Sequence, residues 1–282
     1  MGLHELVERL GRIEGLDVAA KPAGKAVARA VSPRRLKDVL SGSWLGHPFH
    51  PLLTDIPIGA WTSALVLDLV GGRRSQEAAD RLIGLGLLAA VPTAATGASD
   101  WSDYLGEERR IGFLHAMANN AALACYGASY LARRRGSRTK GLGLSLAGAA
   151  LVTGGGYLGG HLAYVRGVNV NRNAWDHELE EWTSVADEAD LRDGEPVVAQ
   201  AGESAVLLLR HDGRIHAIAD RCGHAGGPLH EGVFEDGCVI CPWHQSTFRL
   251  ADGGVVHGPA TVAQPAYDVR VENGKVQLRS SS

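Results

Sequence analysis

Two short pairs of metal-binding side chains stand toward the C-terminus of the chain: Cys222-Gly-His224 and, after 16 intervening residues, Cys241-Pro-Trp-His244. Two thiolates and two imidazoles can hold either a tetrahedral zinc ion or a [2Fe-2S] cluster with mixed ligands, and the donor set alone leaves both open. A second group of histidines lies nearer the N-terminus: His47 and His50 in His47-Pro-Phe-His50-Pro, and His115 and His161 within apolar stretches. Such histidines can ligate haem or a metal, line a quinone pocket, or act as hydrogen-bonding interface residues, as His115 could with Asn119 one turn on.

The elements that must carry these residues differ between the two halves. From Glu180 to the end the chain holds 16 acids against 8 Lys and Arg, whereas residues 1–179 hold 15 acids and 20 bases. Neither half has the basic excess with which a nucleic-acid binder neutralises phosphates, and no nucleic-acid partner is expected. Short runs rich in Val, Ile and Leu fill the acidic half: Pro196 to Gln200, Ala205 to Arg210, Ile215 to Ala219, Cys238 to Ile240, Ala266 to Val271 and Lys275 to Leu278. Turn signals at His211-Asp-Gly, Glu235-Asp-Gly, Ala251-Asp-Gly and Glu272-Asn-Gly punctuate them. A compact all-β domain over 181–282 is expected, with each donor pair at the tip of a turn between strands.

The other half reads as helices. Ile111 to Ala132 and Gly141 to Val165 carry no Asp, Glu, Lys or Arg and are long enough, at about 1.5 Å per residue, to cross a hydrocarbon core. Leu82 to Ser99 is a shorter candidate, and Ile56 to Val70 a weaker one because it contains Asp68 and follows Asp55. A soluble bundle would show polar outer faces, which the last two stretches lack. Gly155 with Gly159, and Gly156 with Gly160, have the small-xxx-small spacing of helices in close contact in lipid. The expected organisation is a polar segment over 1–50, beginning with an amphipathic stretch at Leu3, Leu6, Val7, Leu10 and Ile13, then a four-helix membrane domain over 51–166 and a linker over 167–180. An up-and-down bundle would bring His47, His50, His115 and His161 to one membrane face, with His115 opposite His161. A free linker would let the β domain visit that face.

Around the two donor pairs, Cys222-Gly-His224-Ala-Gly-Gly-Pro228-Leu229, Cys241-Pro242-Trp-His244 and Phe248-x-Leu-x-Asp252-Gly253 closely resemble the Rieske ferredoxin family over about 100 residues. The resemblance implies a [2Fe-2S] cluster with Cys222 and Cys241 on one iron and His224 and His244 on the other. Where respiratory members have two further cysteines this chain has Gly227 and Trp243, so the resemblance is to the ferredoxin and oxygenase-associated branch. A hydrogen bond from Ser246 to a cluster sulfur is expected, with a potential in the lower half of the roughly −150 to +300 mV Rieske range. Gln245 departs from the glycine common at its position. The N-terminal half resembles a family of uncharacterised four-helix membrane domains through Gly46-His47-Pro-Phe-His50-Pro and Gly159-Gly-His161-Leu-Ala-Tyr164-x-x-Gly167.

Together these readings predict a multidomain protein: a four-helix transmembrane bundle followed by an all-β Rieske domain, multi-pass in the cell membrane with the β domain in the cytoplasm. Its expected work is one-electron transfer to a protein partner or to a redox group in the bundle, such as a haem b on the bundle histidines. It is not expected to be a self-sufficient enzyme, because the chain has no room for a large oxygenase catalytic domain and shows no nicotinamide or flavin fingerprint. Two rival readings are a redox or oxygen sensor and a structural zinc module. The first 30 residues lack the apolar core of a signal peptide, and a disulfide between Cys125 and Cys238 is not expected.

Overall fold

The structure is a computed structural model that describes residues 2–176 and 178–281. It forms two compact units, Met1–Pro33 with Phe49–Val168, and Arg34–Pro48 with Asn169–Ser282. Among the described residues there are seven α-helices: α1 (Leu3–Gly11), α2 (Asp17–Ala30), α3 (Arg34–Ser41), α4 (Phe49–Val70), α5 (Gln76–Trp101), α6 (Gly106–Arg134) and α7 (Arg138–Gly160). A π-helical turn, His161–Val165, continues α7.

The first unit is helical. Phe49–Val70, Arg73–Trp101 and Arg138–Val165 are long and apolar enough to cross a membrane. The fourth expected span lies in α6, whose middle carries His115, Asn119 and Asn120, and this helix falls outside that set. Large apolar side chains face outward along the helices, including Leu69, Leu88, Val91 and Leu131. Inside, Trp61 of α4 stacks on Tyr126 of α6 with ring centroids 4.1 Å apart. Glycine makes this possible: a Cβ on Gly86 would meet Trp61 at 2.3 Å, and one on Gly148 would meet Tyr126 at 2.9 Å. Of the two small-xxx-small pairs in α7, Gly155 and Gly159 pack against Asn119 and His115 of α6, while a Cβ on Gly156 would meet nothing.

Asp68, the charge that weakened the first stretch as a span, lies in an ion cluster. Its carboxylate pairs with Arg133, whose side chain is wholly buried, and with Arg138 at 2.7 Å; Asp80 bridges the same two guanidiniums at 3.1 and 3.0 Å. Ser129 and Ser145 complete the bonding of Arg133. Opposite charges kept together in this way avoid the cost of an isolated charge in apolar surroundings.

The described residues of the second unit form ten strands in three antiparallel sheets. β1 (Thr183–Asp187), β9 (Tyr267–Glu272) and β10 (Lys275–Ser280) form one, in the order β1-β10-β9; β2 (Pro196–Ala201), β3 (Ser204–His211) and β4 (Arg214–Ala219) form the second. The third has β5 (Val233–Glu235), β6 (Cys238–Ile240), β7 (Thr247–Arg249) and β8 (Val255–His257) in sequential order. β3 reads as a continuous apolar run because both its faces are buried: Val206 and Leu208 enter one core with Val276 and Leu278, while Leu207 and Leu209 enter another with Phe248, Leu229 and the two cysteines. Three of the four turn signals form tight hairpins with two successive left-handed residues, at Asp212-Gly213, Asp236-Gly237 and Asn273-Gly274. At Ala251-Asp-Gly only the glycine is left-handed.

Two boundaries differ from the expected ones. The first 50 residues are divided, since residues 34–48 belong to the β unit. There Asp38 of α3 accepts the Gly258 N–H at 2.8 Å and pairs with His257 Nδ1 at 2.9 Å. The expected free linker is not free either: the Arg172 N–H donates to the Gly223 carbonyl at 2.9 Å, and Asn173 Nδ2 donates to the Arg221 carbonyl at 2.9 Å. Polar residues that read as a tether have buried partners, which fixes them to the β unit.

Candidate metal centre

Cys222 and Cys241 open two loops of the same construction. The Cys222 N–H donates to the Gly227 carbonyl, five residues on, and the Gly226 N–H returns to the Cys222 carbonyl, both at 2.8 Å. In the second loop the Cys241 N–H donates to the Ser246 carbonyl at 2.8 Å and the Gln245 N–H returns to the Cys241 carbonyl at 3.1 Å. Each loop bends through a left-handed residue four places after its cysteine, Gly226 at φ +85° and Gln245 at φ +65°. The histidines, two and three places after their cysteines, are thereby turned toward each other, with ring centroids 5.0 Å apart and planes nearly perpendicular.

The two cysteine side chains are in hydrogen-bonding contact and almost wholly buried. The proton shared between them pushes Cys222 up and holds Cys241 down. Backbone amides favour the thiolate form of both: those of His224 and Ala225 point to the Cys222 sulfur, and those of Trp243 and His244 to the Cys241 sulfur. Burial, reinforced by His244, pushes His224 down to about 3, so its imidazole is neutral at ordinary pH and able to donate a lone pair. Two buried sulfurs that share a proton and are each faced by backbone N–H groups thus converge with two partly buried rings, which fits a mixed thiolate and imidazole metal group.

A layer of buried polar residues holds the loops. Gln264, 2% exposed, accepts the Gly223 N–H at 2.8 Å and donates to the carbonyls of Ala219 at 3.0 Å and Arg221 at 2.8 Å. Asn173 donates to Gln264 Oε1 at 3.2 Å. Asp220 anchors the far side of the first loop through the N–H and Nδ1 of His230, both at 2.8 Å. Ser246 Oγ accepts the Ala260 N–H at 2.9 Å. Gly227 lies against the second loop, where a Cβ would come within 2.9 Å of the Cys241 sulfur and 3.1 Å of Trp243. Gln264, Asn173, Asp220 and Asp38 escaped the sequence reading because they act singly, through contacts far along the chain. A weak signal existed in Asn169-Val-Asn-Arg-Asn173, an amide-rich stretch directly after an apolar helix.

The bundle histidines do not form one site. His50 and His115 approach each other, with ring centroids 6.4 Å apart, and each is bonded to a backbone carbonyl, His50 Nδ1 to Thr93 at 2.9 Å and His115 Nδ1 to Gly155 at 2.7 Å. His161 faces His4 and Glu8 instead of His115. His47 is exposed, bonded to the neighbouring Pro48 carbonyl, and belongs to the β unit. The opposed pair expected as axial haem ligands is therefore absent among the described residues, and the arrangement gives haem b no support.

Comparison with known proteins agrees with this division. Residues 181–268 match the Rieske [2Fe-2S] domain, and residues 46–172 match a predicted membrane protein family, DUF2231. The ferredoxin component of the alkene monooxygenase system of Xanthobacter autotrophicus is 40% identical over 99 residues, 35% of this chain and 80% of that protein. Apoptosis-inducing factor 3 of Mus musculus is 35% identical over 92 residues, 33% of this chain, and the match spans only 15% of its length. Among solved structures, the ferredoxin of carbazole 1,9a-dioxygenase from Nocardioides aromaticivorans IC177 aligns over 36% of this chain and 100% of its own, with 26% identity and a TM-score of 0.34. Through its β unit the chain belongs to the Rieske [2Fe-2S] domain family, and it joins to that domain a second one of the predicted membrane protein family DUF2231.

Proposed function

We propose that the protein is a membrane-anchored one-electron carrier, in which Cys222 and Cys241 hold one iron of a [2Fe-2S] cluster and His224 and His244 hold the other. The observation that carries this reading is the pair of equivalent loops, which bring two buried sulfurs, each faced by backbone N–H groups, and two imidazoles to one place. When bound, such a cluster takes up and releases single electrons. The chain's part is to fix potential and access. Four backbone N–H groups aimed at the cysteine sulfurs favour the more negative state, and the Ser246 hydroxyl, whose oxygen already accepts from Ala260, can donate its proton toward the cluster. His244 and the neighbouring indole of Trp243, 54% exposed, give a partner a surface close to the donor group.

Ferredoxin components of oxygenase systems among the relatives support delivery to a separate redox protein. The outward apolar side chains of the helical unit support anchoring in lipid. We further read α4 to α7 as four crossings, with α6 shielded by its neighbours so that Asn119 and His115 face protein. Four crossings would leave the β unit on the same side as the N-terminus, which we assign to the cytoplasm.

Metal and sulfide analysis of detergent-purified protein tests the assignment. Two irons and two acid-labile sulfides per chain are expected, with a visible spectrum bleached by dithionite and restored by air. One zinc per chain with no sulfide, lost in a Cys222→Ser and Cys241→Ser variant, would replace the carrier by a structural metal module.

A further inference from the structure

A second group of donors lies in the helical unit and takes no part in the proposed electron-transfer centre. On α1, His4 and Glu8 are four residues apart and share a helix face. His161 meets them from the π-helical turn that follows α7, a local widening of the helix of a kind found often at functional sites. One donor atom from each of the three residues lies within 4.8 Å of the other two. His161 is buried, its side chain 2% exposed, and its Nε2 stands 3.0 Å from Glu8 Oε1 without the alignment of a hydrogen bond. The rings of His4 and His161 are 5.5 Å apart.

We propose that His4, Glu8 and His161 form a mononuclear site for a divalent transition-metal ion of the zinc or ferrous type. Two imidazoles and one carboxylate are a common donor set for such ions where a coordination position stays open. Donors around a tetrahedral zinc lie roughly 3.3 Å apart, given metal–ligand bonds of about 2.0–2.2 Å, so small side-chain rotations close this triad on an ion. The surroundings favour a cation. Arg166 Nη2 holds the other Glu8 oxygen, Oε2, at 2.7 Å and fixes the carboxylate with Oε1 toward the imidazoles. Glu107 and Glu108 also face Arg166 and share its positive charge with Glu8. His4 and Glu8 line a groove with Arg9 and Arg12, open to a small anion or water as the remaining ligand.

The test uses untagged full-length protein with its cluster loaded, stripped of adventitious metal, and titrated with Zn2+ by calorimetry and with Co2+ by visible absorption. One saturable ion per chain is expected, with Co2+ bands of low coordination number. His4→Ala and Glu8→Gln should each weaken binding by about 10–100-fold, the range seen when outer ligands are lost, or more. His4 is exposed, so its replacement leaves the fold intact. Should the cluster prove absent, the same titration on a Cys222→Ser and Cys241→Ser background still reads the triad alone. No saturable binding, or equal affinity in the parent and the His4→Ala variant, overturns the proposal.

Discussion

Gly226 and Gln245 occupy the same place in two different loops: each is the fourth residue after a cysteine, each returns its N–H to that cysteine's carbonyl, and each has a left-handed backbone. Only glycine adopts that conformation freely, so the first loop has the permissive residue and the second does not.

Substitution should expose this asymmetry. Gly226→Ala puts a side chain on a left-handed backbone, which costs about 1–2 kcal/mol, without a steric clash since the nearest atom to the new Cβ would be Arg221 Nε at 3.5 Å. Gln245→Gly relieves a strain of that size and loses about 0.5–1 kcal/mol to chain entropy, so it should hold or slightly raise stability. Paired thermal melts decide the matter, and equal losses in the two variants would refute the equivalence of the loops.

The clamp on the first loop should matter more. Gln264→Leu leaves the buried Gly223 N–H without its acceptor, at a cost of about 1–3 kcal/mol, and takes one donor each from the Ala219 and Arg221 carbonyls, of which that of Arg221 keeps Asn173. Iron content per chain should fall well below that of the parent protein purified in parallel. Full occupancy in this variant would show that the loop holds its shape unaided.

A smaller change tests the contact between the loops. Gly227→Ala would drive its new methyl into the Cys241 sulfur, 2.9 Å away, and should lower iron occupancy even if the domain folds. Incorporation measured against a Gly254→Ala control, whose new methyl would meet the Arg249 and Asp252 side chains at 2.9 Å between β7 and β8, separates damage to the site from damage to the sheet.

The position of α3 also yields an expectation. Asp38→Ala removes two bonds that tie this helix to His257 and Gly258, with about 1–3 kcal/mol lost. Limited proteolysis should then cut within residues 34–48 faster than in the parent. An unchanged cleavage rate would mean that other contacts, such as that of Ser41 with Gly258, hold the segment.

Acid should loosen the N-terminal helices through Asp17. Hydrogen bonds from Arg110 and Lys21 hold its carboxyl well below the usual range. With the folded value depressed, the unfolded chain takes up the proton first, so the contribution is complete above the ordinary carboxylate range near about 4 and is lost as pH falls toward the folded value. The melting-temperature gap between parent and Asp17→Asn should therefore be widest near neutrality and close in acid; a gap that ignores pH would rule out this pairing.

What could be read in the sequence was what repeats or is local. The donor pairs, the Asp-Gly and Asn-Gly turns and the apolar runs of β2, β3, β4, β9 and β10 have short-range signatures, and the structure contains the corresponding elements. β6, only three residues long, was legible because Cys238-Val-Ile240 is apolar throughout, whereas β1, β5, β7 and β8 were missed because short runs that mix polar and apolar residues have no visible period. The placement of α3 beside His257, and of Asn173 beside Gln264, rests on pairs separated by 219 and 91 residues, which no local pattern encodes. The supposed meeting of His115 with His161 failed for a geometric reason. Equal depth along two helices does not fix rotation about their axes, and the π-helical turn directs His161 toward α1.

Pulsed EPR of the dithionite-reduced full-length protein tests the central claim most directly, because nitrogen couplings report imidazoles bound to the reduced iron. The parent should show two such nitrogens, and His224→Cys and His244→Cys should each remove one. A reduced iron-sulfur signal without nitrogen couplings, or couplings unchanged in both variants, would contradict the ligation by Cys222, His224, Cys241 and His244 on which this account stands.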